Sequence, residues 1–387
     1  MADPLRPEPF DKLRTGSVDG PEPSARAQQW ATTMHGHAAE GLVRAHAGSH
    51  GHVGPGRTVD RLTREAYERE SLRSGATLAA GAGDRVRPEE PDAERTCFER
   101  DRDRIVHSTA FRRLAGKTQV VVHPTDHQRT RLTHALEVAQ VATSIARGVG
   151  VNVALAEAIA LGHDCGHGPG GHASEDAFDA YVPGGFDHGP WGADVSLLDL
   201  NLCAQTLDGI RNHSWSRPAP STVEGEIVSW ADRIAYCAHD LEDAVHAGIL
   251  GTDEIPDAVA DVAGRSRREQ LGHFVRAVVA GVAEHGEVGM AADSAAALAS
   301  LRAFNYERIY VRPESLAQSR AVVEVLQALV EHFTAHPGAL PGTVVPTDDP
   351  VLTAVTYVAG MTDRFAFDLA VRDLGWASER LPLRPGG

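Results

Sequence analysis

The chain has 387 residues, of which 42% are hydrophobic and only 5% aromatic, so its core must be aliphatic, a balance that favours helices. Its formal net charge of −16 argues against general affinity for nucleic acid or anionic membranes, and a polyanionic substrate would require a local arginine cluster and a metal. Four cysteines without CxxC spacing indicate free thiols in a reducing cytoplasm. No apolar run approaches the roughly 18 residues of a membrane span, and we expect no signal peptide.

The residue pattern divides the chain into four zones and predicts an all-α protein. Residues 1–57 are rich in Pro, Gly, Ala and His without sustained periodicity, and we expect a mobile arm whose histidines bind metal at most adventitiously. Residues 58–250 carry the motifs and form the predicted core. Residues 251–375 are helical again and are expected to belong to the same catalytic unit, and residues 376–387 form a tail.

Two consecutive helices are predicted in the core. The first spans residues 129–147, where apolar residues recur at steps of three and four while Arg131 and His134 share another face. The second spans residues 153–163 and is almost wholly apolar, so we expect it to be buried. It ends at His163 and Asp164, just before glycine-rich residues that cannot continue a helix and are predicted to form a tight backbone turn instead.

A third helix is predicted over residues 221–247. Ser221 and Glu224 have the spacing of a capping box, and two prolines precede them. One face of this helix carries three polar residues at successive turns: Asp232, Tyr236 and Asp240.

Four residues on these helices form a candidate metal-binding set: His134, His163, Asp164 and Asp232. Two imidazoles and two carboxylates suit a divalent ion such as Mn, Fe, Co, Mg or Zn, with positions left for water or substrate. Taken singly, His134 is equally typical of a core histidine, and Asp232 of a salt-bridged acid. A buried aspartate without a partner is costly, however, and the joint pattern favours a metal site.

The order H…HD…D resembles the HD superfamily of metal-dependent phosphohydrolases. Longer motifs resemble, more closely, the deoxyguanosine triphosphate triphosphohydrolase family, and the resemblance covers roughly residues 60–375. These motifs are FERDRDRIVHSTAFRRLAGKTQV (Phe98–Val120), RTRLTHALEVAQVATSIAR (Arg129–Arg147), ADRIAYCAHDLEDAVHAGIL (Ala231–Leu250), RAFNYERIYVRPES (Arg302–Ser315) and YVAGMTDRFAF (Tyr357–Phe367). The resemblance implies an HD-domain helical bundle with additional C-terminal helices.

The resemblance also implies roles for individual residues. The family's metal ligands would map onto His134, His163, Asp164 and Asp232. Its catalytic histidine, supporting acid and two phosphate-side histidines would map onto His172, Glu175, His167 and His188. Its substrate-binding residues would map onto Arg131 for the phosphates and onto Gln119, Tyr236 and Asp240 for the deoxyribose.

The activity implied by the resemblance is hydrolysis of a deoxynucleoside triphosphate (dNTP) at the α-phosphorus, yielding a deoxynucleoside and tripolyphosphate with a divalent metal as cofactor. Relatives are oligomeric, often hexameric, so we expect a homo-oligomer, while the net charge does not indicate nucleic acid as a partner and no membrane is expected. Two alternatives stay open: another HD phosphohydrolase, such as a nucleotidase or phosphodiesterase, or a nucleotide-binding regulator without turnover.

The sequence departs from the family pattern at two places beside the predicted site. Cys165, Gly168 and Gly170 replace the apolar and proline positions that usually follow HD, and Gly189 replaces the amide of the usual EHN. We expect these changes to leave metal binding intact. A looser glycine turn would alter base specificity or admit a smaller substrate.

Overall fold

The computed structural model describes residues 23–32, 36–39, 41–81, 83–120 and 128–382. This part of the chain is built from α-helices with one small two-stranded sheet, which confirms the all-α prediction. None of the helices within the described ranges combines the length and hydropathy needed to cross a bilayer.

The helices, in chain order, have the following bounds: α1 Ala25–Ala31, α2 Arg61–Ser71, α3 Cys97–His107, α4 Thr109–Arg113, α5 Arg131–Val149, α6 Val153–Gly162, α7 Ala173–Phe178, α8 His188–Trp191, α9 Ala204–Asn212, α10 Val223–His246, α11 Asp257–Ala263, α12 Arg267–His285, α13 Ala292–Asn305, α14 Pro313–Ala335, α15 Pro350–Ala359 and α16 Asp363–Leu374.

The chain divides into two compact units, Met1–Thr58 and Val59–Gly387. In the first unit the described residues form α1 and a hairpin of β1 (His37–Ala39) and β2 (Leu42–Arg44), which pair antiparallel. The predicted mobility of residues 1–57 stays a prediction, and residues 1–22 lie outside the described part.

The centre of the second unit is the packing of α6 between α5, α3 and α10. As expected from its composition, α6 is buried along almost its whole length, and Asn152 caps it by accepting from Leu155 N–H at 3.2 Å. Helix α5 begins at Arg131, two residues later than predicted, because Thr130 is the extended N-cap residue, with its N–H donating to the Thr133 hydroxyl at 3.0 Å. The guanidinium of Arg129, which precedes the cap, pairs with Glu137, Glu242 and Asp243.

The predicted capping box of α10 is wrong. The helix begins at Val223, and Thr222 rather than Ser221 caps it, with its hydroxyl accepting from Gly225 N–H at 3.1 Å. Glu224 is instead buried and accepts hydrogen bonds from Thr77 and from the backbone of Asn152. The local sequence is suited to a cap at either Ser221 or Thr222. The buried contacts of Glu224 with Thr77 and Asn152 favour the cap at Thr222.

A second apolar cluster joins α14, α15 and α16 to the short helix α7, next to the glycine-rich turn. Asp363, the first residue of α16, connects this cluster to the core. Its buried carboxylate accepts from Thr118 N–H at 2.9 Å, from the Thr118 hydroxyl at 2.5 Å and from Gly170 N–H at 2.8 Å. The ammonium of Lys117, also buried, donates to the carbonyls of His167 and Ala359. The C-terminal helices therefore hold the glycine turn in place.

Replacing Asp363 by alanine is expected to lower the free energy of unfolding by about 3 kcal/mol, because three buried donors lose their acceptor and Lys117 loses its nearby countercharge. Urea unfolding followed by circular dichroism measures this effect. Asp368, on the same helix, is the matched control, since it is exposed and pairs with Arg364, which is exposed as well. Asp368→Ala should change stability by less than about 0.5 kcal/mol. Equal effects of the two substitutions would contradict the role of Asp363.

A candidate metal centre between three helices

Three helices bring the four predicted ligands together. His134 lies in the first turn of α5, His163 and Asp164 follow α6, and Asp232 lies in the middle of α10. His134 Nε2 is 3.0 Å from Asp232 Oδ1, and His163 Nε2 is 3.4 Å from Asp164 Oδ1 and 3.6 Å from Asp232 Oδ1. The side chains of His134, His163 and Asp164 are buried, and that of Asp232 is 20% exposed. The cluster therefore touches solvent only on one side.

The orientation of His163 fits a metal ligand. Its Nδ1 lies 2.7 Å from the carbonyl of Ala160, to which it donates, so Nε2 is the nitrogen that faces the carboxylates of Asp164 and Asp232 and that a bound cation would contact in place of a proton. That nitrogen is buried and finds no hydrogen-bond partner among the described residues. Burial lowers the pKa of His163, but the carboxylates of Asp164 and Asp232 outweigh it and raise the pKa to about 9. Such a donor set is able to hold a divalent cation.

Arg131 is bound to the cluster itself. Its Nη1 donates to Asp164 Oδ2 at 2.7 Å, and both side chains are buried. Burial raises the pKa of Asp164, but Arg131 and His163 outweigh it and hold the pKa well below its usual range. The Nε and Nη2 of Arg131 remain buried without a hydrogen-bond partner in the described structure. Two fixed donors are thus left for an anionic group next to the carboxylates.

The glycine-rich residues after Asp164 form a buried and tightly packed turn, which agrees with the predicted tight backbone turn and not with a turn loosened by the departure from the family pattern. A Cβ on Gly166 would lie 1.9 Å from the carbonyl oxygen of His188, and a Cβ on Gly170 would lie 2.4 Å from a Val322 methyl. Gly170 and Gly171 also adopt left-handed backbone conformations, with φ of 74° and 63°. The glycines permit close packing of the turn and do not loosen it.

The predicted catalytic residues lie together on one side of this turn. His167 is buried, with Nε2 3.2 Å from Asp164 Oδ1, and its ring stacks on His188 at 3.8 Å between ring centroids. His172 is at the start of α7, and its side chain is 72% exposed. Glu175 Oε1 lies 2.5 Å from His188 Nδ1 but 3.4 Å from His172 Nδ1. Glu175 therefore orients His188 more directly than His172.

The neighbouring histidines keep Glu175 ionised. Burial raises the pKa of the carboxyl, but His172 and His188 hold it well below its usual range. Burial and the nearby charge of Arg131 hold the pKa of His167 well below its ordinary value, so its ring is neutral. A neutral ring at His167 and an ionised Glu175 thus face the cluster from the same side.

One residue of the cluster was not predicted. His213, which follows α9, is buried, and its Nε2 lies 3.1 Å from His188 Nε2. Its ring also lies 5.0 Å from that of His163. The sequence signal was weak, because His213 lies 50 residues after His163 in a segment without helical periodicity on its C-terminal side.

Two of the predicted sugar-binding residues, Tyr236 and Asp240, lie along α10 beside segments of the C-terminal helices, and the third, Gln119, lies between α4 and α5. Tyr310 donates to Asp240 Oδ2 at 2.5 Å, and Arg302 Nε donates to the Tyr236 hydroxyl at 2.9 Å. Asp240 Oδ1 is buried without a hydrogen-bond partner among the described residues, as is Oε1 of the half-buried Gln119. Polar atoms are thus available beside the centre, and Tyr310 and Arg302 are further neighbours that residue spacing did not identify.

The stability of the protein should depend on pH through Asp240. Burial, opposed by the Tyr310 hydrogen bond, raises its pKa from 3.8 to about 7. A raised folded-state pKa contributes stability that is present below about pH 4 and lost as pH rises to about 7. Asp240→Asn should therefore become more stable relative to the wild type as pH rises through this window. Urea midpoints at four pH values between 4.5 and 8 would measure it.

The control for this measurement is Asp261→Asn, which changes an exposed carboxylate on α11. Its difference from the wild type should stay nearly constant across the same pH range. A constant difference for Asp240→Asn as well would refute the assignment of the pH dependence to Asp240.

The comparisons with known proteins agree with this geometry. The HD domain model matches residues 131–237, which include all four candidate ligands, and the phosphohydrolase-associated domain model matches residues 288–372. The cluster and its helical setting therefore define an HD-domain protein of the phosphohydrolase class.

Full-length relatives narrow this class. A deoxyguanosinetriphosphate triphosphohydrolase-like protein of Caldanaerobacter subterraneus is 38% identical over 312 residues, covering 78% of this chain and 92% of the relative. Similarly named proteins of Clostridium perfringens and a Ruegeria species are 38% and 35% identical, with 93% and 97% of the relatives covered. The chain belongs to the family of deoxyguanosinetriphosphate triphosphohydrolase-like proteins.

Proposed function

We propose that the protein hydrolyses dNTPs to a deoxynucleoside and tripolyphosphate, using a divalent metal. The observation that carries this proposal is the cluster of two histidines and two aspartates beside Arg131, whose Nε and Nη2 are buried donors without partners. A triphosphate supplies the anionic oxygens that such donors need. The names of the relatives support the choice of a dNTP.

The four metal ligands would be His134, His163, Asp164 and Asp232. When bound, the cation would polarise a phosphoryl oxygen and lower the pKa of water. Arg131, fixed by Asp164, presents its remaining donors in a rigid plane suited to phosphate oxygens. The cost of leaving these donors buried and unpaired is removed when the substrate binds.

The leaving 5′-oxygen requires a proton when its bond to the α-phosphorus breaks. His172 is the accessible candidate, because it lies at the exposed edge of the histidine group while the ring of His167 is buried. Glu175 Oε1, 3.4 Å from His172 Nδ1, would orient the ring of His172 for this transfer. The water oxygen is transferred to phosphorus and leaves in tripolyphosphate.

Tyr236 and Asp240 are proposed to contact the deoxyribose, with the Asp240 carboxylate accepting from the 3′-hydroxyl and Tyr236 excluding a 2′-hydroxyl. Both lie on the face of α10 that also carries Asp232. We further propose that the active species is a homo-oligomer and that Mn or Mg serves as the cation.

The test is hydrolysis of each of the four dNTPs with Mn²⁺ or Mg²⁺ in ¹⁸O-labelled water, with products separated by ion exchange. The expected products are deoxynucleoside and tripolyphosphate carrying one ¹⁸O, because attack at the α-phosphorus places the water oxygen there. The His163→Ala variant should produce neither.

Other outcomes would replace the proposal. Release of phosphate or pyrophosphate would assign the protein to a different HD phosphohydrolase, such as a nucleotidase or phosphodiesterase. Nucleotide binding without turnover under every metal condition would favour a regulatory protein. Label in the deoxynucleoside would move the attack from phosphorus to carbon.

A further inference from the structure

Two of the four cysteines lie side by side, although they are 106 positions apart in the chain. Cys97 is the first residue of α3, and Cys203 is the N-cap residue of α9. Their thiols form a hydrogen bond with each other. Both are free thiols, of which Cys203 is fully buried and Cys97 is only partly buried. A small solute therefore has access to Cys97 but not to Cys203.

A buried ion pair fixes the starts of the two helices against each other. Arg85 pairs at 2.7 Å with Asp101, which lies one turn after Cys97 on α3, and neither side chain is more than 4% exposed. The guanidinium of Arg85 also donates to the carbonyl of Cys97 at 3.1 Å. Asp101 Oδ2 accepts from Cys203 N–H at 2.8 Å. The same two charges thus bind the backbone of both cysteines, so the approach of the thiols is part of the fold.

The segment that precedes α3 sets the direction of the hydrogen bond between the thiols. Cys97 Sγ donates to the carbonyl of Ala79 at 3.6 Å, so the thiol of Cys203 donates to Cys97. This hydrogen bond, together with burial, raises the pKa of the Cys203 thiol above its usual range. A Cβ at Gly83 would lie 3.7 Å from Cys97 Sγ, which is ordinary contact, so the segment packs against the sulfur. Cys97 thus receives the proton of a neutral thiol beside it.

We propose that Cys97 and Cys203 form a reversible redox site, in which hydrogen peroxide oxidises Cys97 and Cys203 then closes a disulfide with it. A partly exposed thiol beside a second, resolving thiol is the usual arrangement of a redox-sensing cysteine, and disulfides in a reducing compartment are usually transient. The bond would link α3 to α9, both of which pack against α6. This proposal does not depend on the proposed hydrolysis, since the thiols are assayed without nucleotide or metal.

The reaction balances with two thiols and one molecule of hydrogen peroxide. In the first step the Cys97 sulfur attacks a peroxide oxygen, an S–O bond forms as the O–O bond breaks, and the products are a sulfenic acid and water. In the second step the Cys203 sulfur attacks the Cys97 sulfur, and an S–S bond forms as the S–O bond breaks. The leaving hydroxide takes the proton of Cys203 and becomes the second water. The two thiols lose two electrons, and the peroxide gains them.

The experiment is peptide mapping of the full chain after oxidation in the folded state. Reduced, desalted protein is treated with hydrogen peroxide, and the remaining thiols are alkylated in denaturant. Because Cys165 and Cys203 share one tryptic peptide, trypsin is combined with a protease that cuts after acidic residues. We expect one linked pair, Cys97 with Cys203, lighter by two hydrogens, while the buried Cys165 and Cys237 are still alkylated. Dithiothreitol should restore all four thiols.

Two variants separate the steps. Cys203→Ser should stop the reaction at the sulfenic acid of Cys97, which dimedone traps. Cys237→Ser, which changes a buried cysteine on α10, is the matched control and should still form the disulfide.

The wild-type protein decides the proposal even if a variant fails to fold. Four alkylated thiols after peroxide treatment would overturn it, as would overoxidation of Cys97 while Cys203 stays free. A linked pair that includes Cys165 or Cys237, or a disulfide between two chains seen as a dimer on a non-reducing gel, would overturn it as well.

Discussion

Replacing His163 by alanine is expected to reduce kcat for dNTP hydrolysis on the order of 10⁴-fold, the scale of losing one member of a group that acts as a unit. His163 Nε2 is the buried nitrogen aimed between Asp164 and Asp232, and a methyl group offers no donor in its place. Initial rates with saturating Mn²⁺ would measure the loss. Because the metal itself is affected, added substrate should not restore the rate.

The control for this prediction is His285→Ala, which removes an exposed imidazole far along the chain and should leave kcat within about twofold, as is usual for surface substitutions. Circular dichroism of both variants separates loss of fold from loss of the centre. A folded His163→Ala protein that keeps more than about a tenth of the wild-type rate would contradict the assigned ligand role.

Much of the centre could be anticipated from local sequence. The apolar composition of the segment before His163 predicts a buried helix, and the following glycines require it to end there, which the structure confirms within one residue. The spacing of Asp232, Tyr236 and Asp240 places them on one face of a helix by geometry alone. These features are local, so the sequence around each residue contains enough information to place it.

Contacts between distant segments could not be anticipated in this way. Lys117 and Asp363 are 246 positions apart, yet both bind backbone groups of the glycine turn, Lys117 at the His167 carbonyl and Asp363 at Gly170 N–H. His213 acquires its position only when α9 packs against α8, and no pattern around it indicates that packing. The local spacing of Ser221 and Glu224 predicts a cap, whereas the hydrogen-bond partners of Glu224, Thr77 and Asn152, lie about 150 and 70 positions earlier.

The glycine turn shows most clearly how local chemistry misleads. Successive glycines maximise the freedom of an isolated chain, so glycine at the apolar and proline positions of the family pattern favours a looser turn, although the same residues also predict a tight backbone turn. In the folded protein the same lack of side chains lets three neighbours approach: the backbone of α8, a Val322 methyl and the guanidinium of Arg131. Packing thus converts a flexible segment into a rigid support for the residues around it.

Gly166→Ala should accordingly destabilise the protein by about 3 kcal/mol and abolish most activity. The added Cβ would lie 1.9 Å from the His188 carbonyl oxygen and 2.4 Å from Gly192 N, and backbone atoms cannot rotate away as a side chain does. The strain must separate the turn that follows Asp164 from α8, which carries His188. Urea unfolding and dNTP hydrolysis should therefore decline together.

The matched control for Gly166→Ala is Gly338→Ala. Gly338 lies in the loop after α14, where a Cβ would meet nothing within 4 Å and φ is not positive, so its stability should change by less than about 0.5 kcal/mol. The two substitutions add the same methyl group and remove the same backbone freedom, so their difference isolates the packing around Gly166. Equal urea midpoints for the two variants would mean that the turn yields to the methyl group, and the close approach of α8 would then not hold the centre rigid.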